Sequence, residues 1–170
     1  FAGLKPVEAT IEVETECAKP ISKHLIGIFF EDINYAADGG LYAELVQNRD
    51  FEYSSKDGSH QGWDGTYAWA VKEGNTSAAD PIHPNNPHYA VLEARPGVTL
   101  QNDGFDGISL KKGEKYDFSL FARVAPGSKG GKVVVCLLDQ TGREIARSSV
   151  NVSSKEWKKQ QTVLTANADA

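Results

Sequence analysis

The chain shows two patterns of hydrophobic and polar residues, with the change near residue 55. From there to the end, short stretches of alternating apolar and polar residues are separated by turn-forming residues, which is typical of antiparallel sandwiches and barrels. In KYDFSLFARV, for example, Tyr116, Phe118 and Leu120 alternate with polar residues. The pattern predicts no helix in this part, a hairpin turn at 139–142, and strands at 68–72, 89–94, 98–101, 106–110, 115–124, 132–139, 143–152 and 157–165.

The first 53 residues follow a different pattern. ATIEVETE alternates like an edge strand, whereas IGIFFEDI at 26–33 is apolar on both faces, as in parallel strands that helices cover on both sides. Apolar residues then recur at helical spacing, at Leu41, Tyr42, Leu45 and Val46. We therefore predict one βα unit at 20–53. Because a parallel strand needs neighbours that this chain does not supply, we expect this unit to open a larger α/β domain whose remainder lies beyond Ala170.

Two adjacent carboxylates, Glu31 and Asp32, stand at the end of the apolar run. In a (β/α)8 barrel the C-terminal strand ends form the active-site face, and neighbouring strand residues point to opposite sides. Glycoside hydrolysis needs two carboxylates about 5 to 9 Å apart across the sugar, so these two are not a catalytic pair. Either one of them accepts hydrogen bonds from substrate hydroxyls, or both cap the strand and pair with a residue such as Arg49.

Length and composition limit the kinds of protein this can be. A chain of 170 residues has room for one domain, or for one domain and a fragment of another. The net charge of −5 and the absence of a Lys/Arg cluster argue against nucleic acid as a partner, and no stretch is long and apolar enough for a membrane span. Because there is no methionine and no signal peptide, we expect a mature, secreted or periplasmic product.

No metal or cofactor is predicted. Cys17 and Cys136 are far apart and lack metal-ligand spacing, and Cys136, within VVVCLLD, is interpreted as a small buried hydrophobic residue. His83 and His88 flank Pro84-Asn-Asn-Pro87, which indicates a rigid turn rather than a metal or catalytic site. No run of Asp and Asn has the spacing of a calcium loop.

The segment GIFFEDINYAADGGLYAELVQNRDFEY resembles the opening of family 51 glycoside hydrolases, the α-L-arabinofuranosidases. HPNNPHYAVLEA, NDGFDGISLKKGEKYDFSLFAR and WKKQQTVLTANADA resemble the β-sandwich inserted in that barrel, which is similar to family 4/9 carbohydrate-binding modules. The resemblance implies a mainly β chain in which a βα fragment of a (β/α)8 barrel, at 1–53, precedes an antiparallel jelly-roll sandwich of the galactose-binding type. That sandwich spans 54–170 and is complete or lacks only its last strand.

The resemblance also implies the parent activity, that of a retaining hydrolase releasing arabinofuranose from plant polysaccharides or oligosaccharides. Of the family's active-site residues only Glu31 is matched, as the strand-end glutamate that hydrogen-bonds arabinose hydroxyls. The acid/base and nucleophile glutamates match no segment here, so we expect the chain alone to be inactive. Its expected partners are the carbohydrate and the remainder of the catalytic domain, and an unpaired βα unit also predicts self-association into a homo-oligomer.

Aromatic residues are the candidates for sugar contact, because a flat ring stacks on the apolar face of a sugar. Trp63, Tyr67 and Trp69 in GWDGTYAWAV come first, and Trp157 is next. The alternative is that these rings belong to the core, an interpretation favoured for Trp69 and Trp157. Three hypotheses therefore stand together: part of an arabinofuranosidase, a polysaccharide-binding module, and a purely structural sandwich.

Overall fold

The computed structural model describes residues 10–14, 16, 18–20, 22, 24–25, 27, 37, 40–56, 62–93 and 95–170. The chain divides into two compact units, Phe1–Glu31 and Asp32–Ala170. The described stretches of the first unit contain neither an α-helix nor a strand. Residues 10–14, which belong to the expected edge strand, do not form a strand. Glu31, Asp32 and Cys17 lie outside the described residues.

The described residues of the second unit form an antiparallel β structure of eight strands. The strands are β1 (Trp69–Lys72), β2 (Gly74–Ser77), β3 (Tyr89–Leu92), β4 (Thr99–Asn102), β5 (Lys115–Ala122), β6 (Gly131–Leu138), β7 (Glu144–Val152) and β8 (Lys158–Thr165). None of the described residues lies in an α-helix. Accordingly, that part of the chain has no helix with the length and apolarity to cross a membrane.

The strands pair in two nested sets. In the first set, β2 pairs with β3 and the flanking strands β1 and β4 pair with each other; in the second, β6 pairs with β7 while β5 pairs with β8. Every one of these pairings is antiparallel. In each set an inner pair of consecutive strands is enclosed by an outer pair, and pairing of a first strand with the fourth is also a feature of the Greek key. The predicted antiparallel sandwich class is confirmed.

Six predicted strands are confirmed, with ends that lie within two residues of the observed ones. They are β1, β3, β4, β6, β7 and β8. The prediction for KYDFSLFARV is confirmed as β5, where Tyr116, Phe118 and Leu120 are partly buried between exposed neighbours. The hairpin turn is confirmed as well: Asp139 N–H donates to the Arg143 carbonyl at 2.9 Å. Thr141 and Arg143 bond the Asp139 carboxylate. The Thr141 hydroxyl is the largest cause lowering the pKa of Asp139 to about 2.

The structure differs from the predicted strands at two places. β2 is not predicted, because its residues, GNTS, are polar and mostly exposed. They form a strand only through pairing with β3. The strand predicted at 106–110 is wrong: this stretch is a loop, with a bridge between Gly104 and Gly107. Only its last residue, Leu110, makes paired backbone bonds, in both directions with Ala170.

The helix predicted from Leu41, Tyr42, Leu45 and Val46 is not formed, since no residue from 40 to 56 is helical. Leu41 is 77% exposed and Tyr42 is 68% exposed. A short amphipathic segment gains most of its helical stability from packing its apolar face, and that face is uncovered here. The segment instead ends in a turn at 47–50.

The buried hydrophobic side chains among the described residues all belong to the second nested set and its flanking residues. They are Leu110, Val124, Ile145, Ala146, Val150, Val152, Leu164 and Ala166. β8 is only half buried: Leu164 is 2% exposed and Val163 is 48% exposed. Among the described residues before 110, two side chains are buried to the same degree, and both are polar: Gln47 and Asn48.

Candidate functional site

Aromatic rings gather in two groups between residues 51 and 69. Tyr53 and Trp63 stack with ring centroids 4.3 Å apart, and Tyr67 lies 5.3 Å from Trp63 and 6.2 Å from Tyr53. We call Tyr53, Trp63 and Tyr67 the aromatic cluster. Phe51 and Trp69 form a separate stack at 4.9 Å. All five rings are partly exposed, so the region combines flat apolar surfaces with access to solvent.

The buried side chain of Asn48 connects the two chain segments that carry these rings. Its Nδ2 donates to the carbonyls of Gly65 at 3.1 Å and Tyr67 at 3.0 Å. Its Oδ1 accepts from the Tyr53 backbone N–H at 3.1 Å. The Asn48 carbonyl accepts from Trp69 Nε1 at 2.7 Å. The side-chain amide, which has donors and an acceptor on one small group, thus links the two segments that carry the aromatic cluster. The backbone carbonyl of the same residue attaches Trp69 to them.

Asn102 attaches the preceding residue, Gln47, to the end of β4. Its Oδ1 accepts from the Gln47 N–H at 3.1 Å, and its Nδ2 donates to the Gln47 carbonyl at 2.9 Å. This reciprocal pair imitates a step of a β ladder between chain segments 55 residues apart. The same Oδ1 also accepts from the Gly104 N–H at 2.9 Å.

Glu52 lies between Phe51 and Tyr53 and fixes this segment to the turn at 83–88. Its Oε1 accepts from the His88 backbone N–H at 2.8 Å and from Asn86 Nδ2 at 3.1 Å, and its Oε2 lies 2.7 Å from His88 Nδ1. Burial opposes ionisation of Glu52, but the bonds from His88 and Asn86 outweigh it and lower its pKa. We call this arrangement the Glu52 clamp.

The turn that receives the Glu52 clamp, which contains the two prolines, is closed by hydrogen bonds to His83. The Asn86 N–H donates to the His83 carbonyl at 3.0 Å, and the Asn85 N–H donates to His83 Nδ1 at 3.1 Å. His83 is therefore used inside the turn. Among the described residues, no group of three or more His, Cys, Asp or Glu side chains is placed to hold a metal ion.

Asp64 supplies a carboxylate beside the cluster in sequence, between Trp63 and Gly65. Its Oδ1 accepts from the N–H and the hydroxyl of Thr66, both at 2.8 Å. The Thr66 hydroxyl is the largest cause that lowers the pKa of Asp64. The residue is exposed, so an ionised acceptor of hydrogen bonds accompanies the rings.

Trp157, the fourth predicted aromatic, belongs to another arrangement. Its Nε1 donates to the Asp80 carbonyl at 3.2 Å, and its ring meets Tyr89 edge to face at 5.0 Å. The Arg123 guanidinium lies 5.0 Å from the Trp157 ring centre and also pairs with the Asp80 carboxylate. These contacts hold the loop around Asp80 against the second nested set, which is a structural role.

The structure thus separates the residues predicted from sequence. It brings Trp63 and Tyr67 together, assigns Trp69 to a stack with Phe51, and leaves Glu31 outside the described residues. Sequence reasoning missed Tyr53 and Asn48. The signal for Tyr53 was available, because FEY repeats at 51–53 the i, i+2 aromatic spacing of Tyr67 and Trp69. Cys136 is partly buried, and its Sγ donates to Glu144 Oε2 at 3.2 Å.

Comparison with known proteins agrees with this fold. An extracellular exo-α-L-arabinofuranosidase from Streptomyces chartreusis is 37% identical over 147 residues, which are 86% of this chain and 17% of the relative. α-L-Arabinofuranosidase 1 from Arabidopsis thaliana is 29% identical over 180 residues, covering 95% of this chain and 25% of the relative. The chain therefore spans a quarter or less of the length of these relatives.

A solved structure gives the same result in three dimensions. The arabinose-bound MgGH51 α-L-arabinofuranosidase superposes with a TM-score of 0.68 and 29% identity, over 83% of this chain and 24% of that one. The resemblance to family 51 enzymes is confirmed by these similarities. The family model described as "Carbohydrate binding domain", CBM_4_9, matches residues 43–170, and the chain belongs to this family of carbohydrate binding domains.

Proposed function

We propose that the chain is the carbohydrate-binding portion of a retaining α-L-arabinofuranosidase that acts on arabinose-substituted plant polysaccharides or oligosaccharides. Support comes from the two relatives and the solved structure, all of which are α-L-arabinofuranosidases. In this proposal the parent enzyme is secreted or periplasmic, and the extracellular Streptomyces relative supports export. The remainder of its catalytic domain is the chain's second partner.

The observation that carries the binding role is the aromatic cluster. Tyr53, Trp63 and Tyr67 lie within 6.2 Å of one another on connected loops, and aromatic surfaces flanked by a few fixed polar groups are suited to sugar rings and their hydroxyls. The Asp64 carboxylate accompanies the cluster as a hydrogen-bond acceptor. In this proposal the rings hold the polysaccharide, while hydrolysis takes place elsewhere in the parent enzyme.

Glu31 has a separate role in the proposal, as the acceptor of hydrogen bonds from arabinose hydroxyls at the active site. Its support is the family resemblance of GIFFEDI. The acid/base and nucleophile glutamates have no counterpart in this chain. We therefore expect the chain to leave a chromogenic aryl α-L-arabinofuranoside intact, and measurable release of the chromophore would contradict this part of the proposal.

Binding is tested by titrating the chain with arabinoxylan and following tryptophan fluorescence. We expect a saturable change for the wild type. For Trp63→Ala, followed through the remaining tryptophans, the dissociation constant should be at least about tenfold higher, since stacked aromatic anchors dominate recognition. Phe121→Ala is the matched control, because Phe121 is an aromatic residue that is 55% exposed and belongs to β5 rather than to the loops that carry the cluster. Equal affinities for the wild type and Trp63→Ala would remove the binding role from the cluster.

A structural module is the second candidate. The observation that favours it is that the three rings of the aromatic cluster contact one another. Such stacking stabilises a fold whether or not the rings also bind a ligand. Under this alternative, arabinoxylan gives no fluorescence change, and Trp63→Ala lowers the free energy of unfolding instead.

A further inference from the structure

Asn48 is buried, and each of its side-chain bonds ends on the backbone of a residue in or next to the aromatic cluster. The residue is 3% exposed. Its amide bonds the Tyr53 N–H and the Tyr67 carbonyl directly, and it reaches the Gly65 carbonyl two residues after Trp63. Asn48 therefore joins the backbones of the two segments that carry the three rings, while its own side chain is shielded from solvent.

The backbone around Asn48 requires this fixation. Asn48, Phe51 and Ala68 have positive φ angles of 51°, 61° and 66°. Non-glycine residues occupy this region rarely and at a cost, so the surroundings have to hold them there. Asparagine tolerates the conformation better than most residues, and its carbonyl accepts the Phe51 N–H at 3.2 Å.

Close packing adds a second constraint at Gly65. A Cβ atom at this position would lie 2.8 Å from the Phe51 carbonyl oxygen. The segment carrying Phe51 and Tyr53 thus lies against the backbone of the segment carrying Trp63 and Tyr67. Only a glycine permits this separation, and the Asn48 amide maintains it.

We propose that Asn48 is the positioning residue of the aromatic cluster, setting the mutual geometry of Tyr53, Trp63 and Tyr67. Tyr53 thereby becomes a third member of the carbohydrate-contacting surface. The consequence for binding rests on the proposed function. The consequence for ring geometry does not, and it is measured separately.

The test compares four proteins by near-UV circular dichroism, which reports ring geometry, and by arabinoxylan titration. Asn48→Asp keeps the shape of the side chain and the acceptor for the Tyr53 N–H, but loses the donors to the Gly65 and Tyr67 carbonyls. Asn48→Gly tolerates the positive φ and loses every side-chain bond. Asn85→Asp makes the same charge change at an exposed turn residue and serves as the control.

We expect Asn48→Asp and Asn48→Gly to change the near-UV spectrum, keep the far-UV spectrum and bind arabinoxylan at least about tenfold more weakly, while Asn85→Asp matches the wild type. The inference would be overturned if neither Asn48 substitution changed the near-UV spectrum. Weaker binding without a spectral change would also overturn it, because Asn48 would then be a contact residue.

Gly65→Ala keeps the test decisive where the Asn48 variants fail to fold. This change leaves Asn48 in place and forces the Phe51 carbonyl away, so the inference requires the same near-UV change, and an unaltered spectrum refutes it. A wild-type chain that does not bind arabinoxylan would refute the proposed function and the contact role of Tyr53. The near-UV comparison would still decide whether Asn48 sets the ring geometry.

Discussion

Two regions of this domain are stabilised by different interactions. From residue 110 onward, long ladders pair β5 with β8 and β6 with β7, and the buried side chains are apolar, with Ile145 fully buried and Leu164 2% exposed. Among the described residues of the segment 47–69, the most buried side chains are the amides of Gln47 and Asn48. The hydrogen bonds of this segment join side chains to distant backbone groups.

If the aromatic cluster binds carbohydrate, as we propose, the difference between these regions separates stability from recognition. Apolar burial is non-directional and tolerates many sequences, so it suits the part of the domain that only has to be stable. A loop that presents rings at fixed spacing needs directional bonds, and buried amides provide them only when their partners are all in place. The two regions should therefore respond to mutation in different ways.

The largest effect is expected in the apolar core. Leu164→Ala should lower the free energy of unfolding by about 2 to 5 kcal/mol, because it removes buried methyl groups and leaves a cavity. Chemical denaturation measures this change. The adjacent Val163→Ala is the matched control, since Val163 is 48% exposed, and its effect should stay within about 0.5 kcal/mol. Similar losses for the two variants would contradict the observed burial of β8.

A smaller and local effect is expected at Asn102. Asn102→Ala leaves the Gln47 N–H and carbonyl without their side-chain partner, at a cost of about 1 to 3 kcal/mol. Hydrogen exchange followed by mass spectrometry should show faster exchange in the segment 47–69 and unchanged exchange in β5 and β8. Gln101→Ala, at the exposed neighbouring position, is the control. Faster exchange throughout the domain would show that the two regions are one cooperative unit.

The smallest effect is expected at the Glu52 clamp and depends on pH. The pKa of Glu52 is lower in the folded protein than its usual 4.5, so its ionised form stabilises the fold above that value. The stabilisation is lost as the pH falls through the folded pKa. Because both partners are partly exposed, the effect should not exceed about 1 kcal/mol.

Hydrogen exchange at the His88 amide, compared between pH 6 and pH 3, measures the loss of the clamp. Exchange rates are corrected for their intrinsic pH dependence, and protection should fall on acidification in the wild type. Glu52→Gln keeps an acceptor oxygen and removes the titrating group, so its protection should hardly change with pH. Equal pH dependence in the two proteins would show that another group controls this amide.

The sequence predicts elements that have local signals better than elements that depend on distant pairing, for a physical reason. Alternation in β5 and the turn at Asp139 are local signals, and the structure contains both. β2 was missed because its polar residues, Gly74–Ser77, are a strand only through pairing with β3. The strand expected at 106–110 carried local alternation but has no ladder partner beyond the bonds of Leu110 to Ala170.

The site was predictable in its residue types but not in its arrangement. Trp63 and Tyr67 stand out in any aromatic search, whereas Asn48 lies in VQNRD and gives no sign that it bonds residues 5 to 19 positions away. The apolar spacing that precedes it predicted a helix, which requires a covered face to be stable. Long-range bonds of a single amide leave no periodic trace in a sequence.

The most direct test of the central claim uses the three tryptophans as separate reporters. A ¹H–¹⁵N spectrum of the chain, titrated with an arabinose-substituted xylo-oligosaccharide, resolves their indole N–H signals, which single Trp→Phe variants assign. If the aromatic cluster binds carbohydrate, the Trp63 signal should shift and saturate, while the Trp157 signal, bonded to the Asp80 carbonyl, should stay in place. A spectrum in which Trp63 does not respond, or in which Trp157 alone does, would contradict the account.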